Sequence, residues 1–238
     1  MSKKKVARIV VEALENAGVK RCYGVVGDTL NDVTDAMRHH SNIEWVHMRH
    51  EEAGGFAAGA EALMTDNLTA CAGSCGPGSL HFINGLFESH RNGAPVVLIA
   101  SQLPTNVLGT NFPQEVDYMP IYKTCSVFCE EVKNPHEAKR VIMTACQEAL
   151  TKRGVAVVIL PSDISATEVE DLPILPRYQP KAPIIRPDET EIRKMADIIN
   201  AGKKVGIFAG FGCEGAHDEL IALCKKLNAP IAHTSRAK

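Results

Sequence analysis

The sequence predicts an α/β fold in which a parallel sheet is flanked by helices, followed by the start of a second α/β domain. Three observations carry that prediction. Short β-prone apolar runs alternate with stretches of helical period, the pattern of a parallel sheet covered on both faces. Glycine-rich turns at residues 73–78 and 210–215 each follow a strand and precede a helix. Residues 161–187 hold six prolines and no helical period, which reads as an extended linker. The expected organisation is therefore a first domain over 1–160, a linker over 161–187 and a second domain beginning at 188–238.

The elements follow in order. Val6, Ile9, Val10, Ala13 and Leu14 share one helix face, and Gly18 stops that helix. A strand over 21–26 runs into Gly27-Asp28-Thr29, where Asp28 or Thr29 can cap a helix over 30–37. Strands are expected at 44–47, 69–72, 96–100 and 156–160, with helices near 51–65, 79–92 and 135–152. Beyond the linker come a helix at 189–201, a strand at 204–209, a turn, a helix at 216–227 and a strand at 230–233. Some ~50 residues do not close a doubly wound sheet, so the second domain is expected to be incomplete here.

Composition excludes several classes. A formal net charge of -2 with scattered signs provides no basic stripe for nucleic acid, and no apolar run is long enough for a membrane span. Met1-Ser2-Lys3-Lys4-Lys5 has no apolar run behind it, which predicts a cytoplasmic chain without a signal peptide. Eight cysteines include no Cys-x-x-Cys pair and read as small buried thiols. His39 with His40, and His47 with His50, lack a spacing that completes a ligand set, so no protein-only metal site is expected.

The most informative stretch runs Arg49-His50-Glu51-Glu52-Ala53-Gly54-Gly55-Phe56-Ala57-Ala58-Gly59-Ala60. A carboxylate pair opens a helix made almost entirely of small residues. Glycine inside a helix costs roughly 0.5–1 kcal/mol relative to alanine, so a close neighbour is expected to compensate. That neighbour is either a second subunit or a bound cofactor, with Glu51 pointing into it. The loop Gly73-Ser74-Cys75-Gly76-Pro77-Gly78 lies where parallel sheets collect ligands; it is either a cradle or a plain turn. Gly210, Gly212 and Gly215 match Gly-x-Gly-x-x-Gly, but the acidic residue of a dinucleotide site is missing downstream, where position 233 is His.

Taken in order, these segments resemble the thiamine diphosphate-dependent enzymes of the pyruvate oxidase and acetolactate synthase family. The likeness rests on Ala17-Gly18-Val19, Tyr23-Gly24-Val25-Val26-Gly27-Asp28, Arg49-His50-Glu51-Glu52, Gly76-Pro77-Gly78, Ile83-Asn84-Gly85-Leu86, Gln114-Glu115, the Gly210 motif with Ala216, and Ala229-Pro230-Ile231. Cys71 to Gly78, His81 and His90-Arg91-Asn92 follow the flavin-dependent pyruvate oxidase and quinone-linked pyruvate dehydrogenase branch.

The resemblance implies that Glu51 meets the aminopyrimidine ring nitrogen of thiamine diphosphate and shares a proton there, activating the cofactor toward a 2-keto acid. It implies that Val25, Val26 and Gly27 line the ring, that Gly76, Pro77 and His81 form a loop at the cofactor and subunit interface, and that Gln114 lies near the reacting centre. Position 113 is Pro where the family usually has Phe, with Phe112 one place earlier. In the second domain, Gly210, Phe211 and Gly212 would approach the adenosine diphosphate part of FAD and Arg236 the rest; Ala237 replaces a usual Gly.

The family's Gly-Asp-Gly motif for Mg²⁺ and diphosphate does not occur in this sequence. The resemblance therefore implies an amino-terminal portion of a larger enzyme, inactive alone, with Mg²⁺ held elsewhere and a homo-oligomer, dimer or tetramer, completing the site. Three functions follow: oxidative decarboxylation of pyruvate or a similar 2-keto acid through FAD, acetolactate synthase-like acyl transfer, and a non-catalytic dimerisation or binding module. Peripheral membrane contact would arise only through the missing part.

Overall fold

The computed structural model describes residues 3–171 and 184–237. The chain divides into two units, Met1–Ala182 and Pro183–Lys238.

In the first unit the order is β1 (Lys3–Lys5), α1 (Val6–Asn16), β2 (Arg21–Gly24), α2 (Asn31–His40), β3 (Glu44–His47), α3 (Glu51–Thr65), β4 (Thr69–Gly73), α4 (Pro77–Leu80) and α5 (Ile83–Arg91). It continues through β5 (Val96–Gln102), α6 (Tyr118–Tyr122), β6 (Phe128–Glu131), α7 (Ala138–Lys152), β7 (Val155–Pro161), α8 (Ser162–Ala166) and β8 (Glu168–Glu170). Six strands form one sheet in the order β3-β2-β4-β5-β7-β6, with every pairing parallel. The α/β expectation is met.

The sheet is buried on both faces because its central strands carry apolar side chains at successive positions. Along β5, Val97 and Ile99 join α1, α2 and α7 in one core, while Val96 and Leu98 join α3, α5 and α6 in the other. Each such fully buried aliphatic side chain contributes roughly 1.5–3 kcal/mol. The predicted face of α1 lies in the first core through Val6, Ile9, Val10, Ala13 and Leu14.

Three differences from the sequence expectations have local causes. The linker expected from 161 begins folded: α8 and β8 occupy Ser162–Ala166 and Glu168–Glu170. There β8 pairs antiparallel with β1, setting Lys3 against Glu170 and Lys5 against Glu168, while the Lys4 ammonium reaches Glu12 and Asp171 at 2.7 Å each. Residues 172–183 lie outside the described part. The helix expected over 79–92 breaks at His81 and Phe82, because Phe82 is fully buried and its ring lies against the Gly54 position of α3. The edge strand β6 and the short α6 escape periodicity because four and five residues repeat too few times to establish a pattern. In the second unit, α9 (Glu189–Ala201), β9 (Ile207–Ala209), α10 (His217–Leu227) and β10 (Ile231–His233) follow, with β9 and β10 parallel and β9 shorter than expected.

The small residues of α3 have an intrachain partner. Gly54, Gly55, Ala58, Gly59 and Ala62 are buried, and a Cβ added at Gly85 of α5 would lie 2.5 Å from the Gly55 carbonyl carbon. A Cβ at Gly59 would strike Ser89 Oγ at 2.1 Å. The buried stripe serves α5, which corrects the expectation of a second subunit or cofactor against it; the opposite face leaves Phe56 44% and Met64 85% exposed.

Candidate cofactor site

The candidate site of the first unit is built at the carboxyl ends of β2, β4 and β5. Chain after β2 is latched to chain after β4 by small residues and hydroxyls. A Cβ on Gly27 would fall 2.4 Å from Ser74 Cβ, so only glycine permits that approach. Thr29 Oγ1 lies 3.0 Å from Ser74 Oγ and accepts the Cys75 N–H at 2.9 Å. Ser101 Oγ at the end of β5 donates to the Thr29 carbonyl at 2.6 Å. Val25 and Gly27 are half-buried, and Val26 is exposed.

Gly76 turns the next loop with φ +63°, in the left-handed region. Its N–H donates to Tyr118 Oη at 2.5 Å. Tyr118 is itself buried, and burial pushes its phenol up to about 12. Tyr122 donates to the Ser79 carbonyl, and Ser79 Oγ donates to the Ser74 carbonyl at 2.9 Å. The loop is thereby tied to α6 from below. A Cβ on Gly76 would lie 2.7 Å from Gln114 Cβ, and Cys75 Sγ donates to Gln114 Oε1 at 3.3 Å. Gln114, also left-handed at φ +71°, follows Pro113 and is exposed beside this loop; Phe112 is 47% exposed. Pro77 occupies the first turn of α4 and is exposed.

Glu51 opens α3, where unpaired helical N–H groups favour negative charge. Its side chain is 12% exposed, and its Oε2 accepts from His81 Nδ1 at 2.9 Å. A Cβ on Gly78 would lie 3.6 Å from its Oε1, so the second oxygen faces the glycine loop. Glu52 is separated from this chemistry, since Asn84 Nδ2 donates to its Oε1. His50 caps the helix by accepting the Glu52 N–H on Nδ1 at 3.3 Å, and its ring stacks on that of His81 with centroids 4.5 Å apart and planes 20° apart.

The fold brings Glu51, His81, Gly76 and Gln114 to one end of the sheet, together with His50, Thr29, Ser74 and Tyr118. Sequence spacing did not reveal a histidine and carboxylate constellation, yet His50, Glu51 and His81 place ligand-type atoms within 4.8 Å of one another. Their proximity has a simpler origin than ion coordination. The His81–Glu51 hydrogen bond and the stack of His50 on His81 hold them together, and a helix N-terminus disfavours a cation.

In the second unit Gly210 precedes a short 3-10 turn containing Phe211 and Gly212, and nothing lies within 4 Å of a Cβ added at either glycine. The Arg236 guanidinium lies over the Phe211 ring at 4.4 Å from its centroid. Gly210, Phe211 and Arg236 line a concavity of about 310 Å³ with His217 and Cys213. Among the described residues, no helix is long and apolar enough to cross a membrane.

Comparison with known proteins agrees with this geometry. Residues 4–121 match the thiamine pyrophosphate enzyme N-terminal TPP binding domain, and residues 192–238 match the thiamine pyrophosphate enzyme central domain. The 42.6 kDa protein in the isoamylase 3' region of Pseudomonas amyloderamosa is 44% identical, over 100% of this chain and 60% of that protein. Pyruvate oxidase of Lactiplantibacillus plantarum is 31% identical over 96% of this chain and 38% of its own length. The chloroplastic acetolactate synthase of Arabidopsis thaliana is 28% identical over 97% of this chain and 35% of its own. The chain thus spans 35–60% of the length of these relatives. With both matched segments in family order and a carboxylate set at the sheet end, this chain belongs to the thiamine pyrophosphate-dependent enzymes.

Proposed function

We propose that this chain supplies the pyrimidine-binding part of an FAD-containing enzyme that oxidatively decarboxylates pyruvate or a similar 2-keto acid. The observation that carries the reading is Glu51: one carboxylate oxygen is held by His81 and the other faces the glycine loop at the sheet end. The site offers the cofactor's aminopyrimidine one carboxylate whose second oxygen lies toward Gly78, at the end of the sheet that also carries half-buried Val25 and Gly27 and exposed Val26. When bound, thiamine diphosphate supplies the nucleophilic carbon that attacks the keto group and the electron sink for the pair left by decarboxylation.

The residues of this chain act around that centre. Glu51 would hold a proton at the pyrimidine ring nitrogen, Val25, Val26 and Gly27 would bound the ring, and Gln114 would face the reacting group. The Gly210 turn fits the diphosphate of FAD, since neither Gly210 nor Gly212 has a neighbour where a side chain would stand, and Arg236 adds a cation nearby. Mg²⁺ and the cofactor diphosphate would be held by a region outside this sequence. Exposed Phe56, Met64 and Phe87 on α3 and α5 support assembly into a homo-oligomer, and eight unpaired thiols support a reducing, cytoplasmic setting.

Acetolactate synthase-like acyl transfer is the second reading, favoured by the acetolactate synthases among the relatives. Anaerobic addition of pyruvate to the protein purified from its own cells separates the two. Bleaching of the flavin absorbance with release of carbon dioxide supports oxidation, whereas an unbleached flavin with a condensed acyl product sinks it. Glu51→Gln should lower turnover by about 10²–10⁴-fold in either case; a binding module would be indifferent to it.

A further inference from the structure

Glu51 sits at the first helical position, where the orphan N–H groups of the first turn compete for a carboxylate. Left alone, its side chain would be free to turn back onto those donors and away from a ligand. Its observed partner is instead His81 Nδ1, at 2.9 Å. With the carboxylate accepting, the hydrogen of this bond is carried by His81 Nδ1. At His50 the role is reversed, because its Nδ1 accepts the Glu52 N–H. The two rings stack, so His50 braces one face of His81.

The backbone beneath His81 is fixed as well. The His81 N–H donates to the Pro77 carbonyl at 2.9 Å, and the next residue, Phe82, is fully buried. Glu52 does not compete for the imidazole, since it is bonded to Asn84.

We infer that His81 is a positioning residue for Glu51: its Nδ1–H occupies Oε2 and leaves Oε1 for the aminopyrimidine, while the stacked His50 holds the His81 ring in place. This rests on the proposed cofactor reading. It assigns His81 a role through the carboxylate instead of a contact with the cofactor itself.

Two measurements on the protein purified from its own cells, and on its variants, test the inference. Two-bond ¹H–¹⁵N correlation spectra of the cofactor-free protein should find His81 protonated at Nδ1, with Glu51→Leu perturbing that ring's nitrogen shifts. Titration with thiamine diphosphate in the presence of Mg²⁺, followed calorimetrically, should give about tenfold weaker binding for His81→Phe, the loss of one charge-assisted hydrogen bond. His81→Asn, whose amide N–H stands where Nδ1–H stood, should bind nearly as wild type. Deuterium exchange at the cofactor's C2 should follow the same order.

An Nε2–H tautomer, Asn as weak as Phe, or Phe equal to wild type would each overturn the role. Equal losses in both variants would assign His81 to packing alone. Wild-type protein that takes up no thiamine diphosphate, while His81 keeps its Nδ1–H bond, would overturn the cofactor reading and this role with it, leaving the His81–Glu51 hydrogen bond as a structural contact.

Discussion

At the scale of single residues, the site depends on atoms that are absent. Gly76 has φ +63° and no room for a Cβ, because Gln114 Cβ would be 2.7 Å away. Gly76→Ala should therefore cost about 1–3 kcal/mol, combining a left-handed backbone with a forced displacement of Gln114. Urea denaturation would check it, and an unchanged midpoint would refute the clash. The sequence made Gly76 and Glu51 legible, since a glycine loop after a strand and an acid at a helix start each have a local signature. It did not make His50, Thr29 or Tyr118 legible. Those residues act across the sheet end, on partners distant in sequence, and no spacing rule connects Tyr118 to the Gly76 N–H.

At the scale of elements, α3 shows how composition can be read correctly and assigned to the wrong neighbour. Its run of Ala and Gly announced a close approach, and α5 makes it through Gly85 and Ser89. Nothing in one helix states which element will press on it. Gly85→Ala places a methyl group against the α3 backbone and should lower stability by about 1–3 kcal/mol. Ala53→Leu, on the exposed side of the same helix, should change it by no more than about 0.5 kcal/mol in the monomer. Comparing the two melting temperatures tests whether the buried and exposed faces are assigned correctly. The helix, strand and turn order was legible because parallel-sheet strands are apolar throughout; β6, β8 and α6 were missed because each is too short or too polar to carry a period.

For the whole molecule, buried weak acids set an upper limit of pH on the fold. Burial pushes the Cys129 thiol to about 11 and the Cys125 and Cys146 thiols to about 12, above the ordinary thiol value near 9.0, and Tyr23 and Tyr118 to about 12 from 10.0. These groups hold their protons longer in the native state than in the unfolded chain, so above the unfolded values the unfolded state binds fewer protons. Their contribution to stability should be level from neutral pH to about pH 8 and decline as pH rises toward 12. Chemical denaturation at stepped alkaline pH reads this directly, and a midpoint that does not fall would contradict the burial of these groups. The lower limit of the proline-rich stretch was not legible as part of the first unit: Pro161 closes β7, and the chain then folds back for one more strand.

That last strand has a consequence of its own. Because β8 pairs with β1, the first and last described strands of the first unit lie side by side. Both lie in a two-stranded ribbon outside the main sheet, fastened by Lys4 to Glu12 and Asp171. A body whose first and last strands are neighbours can be given new termini elsewhere by joining those strands with a short linker, without cutting its core.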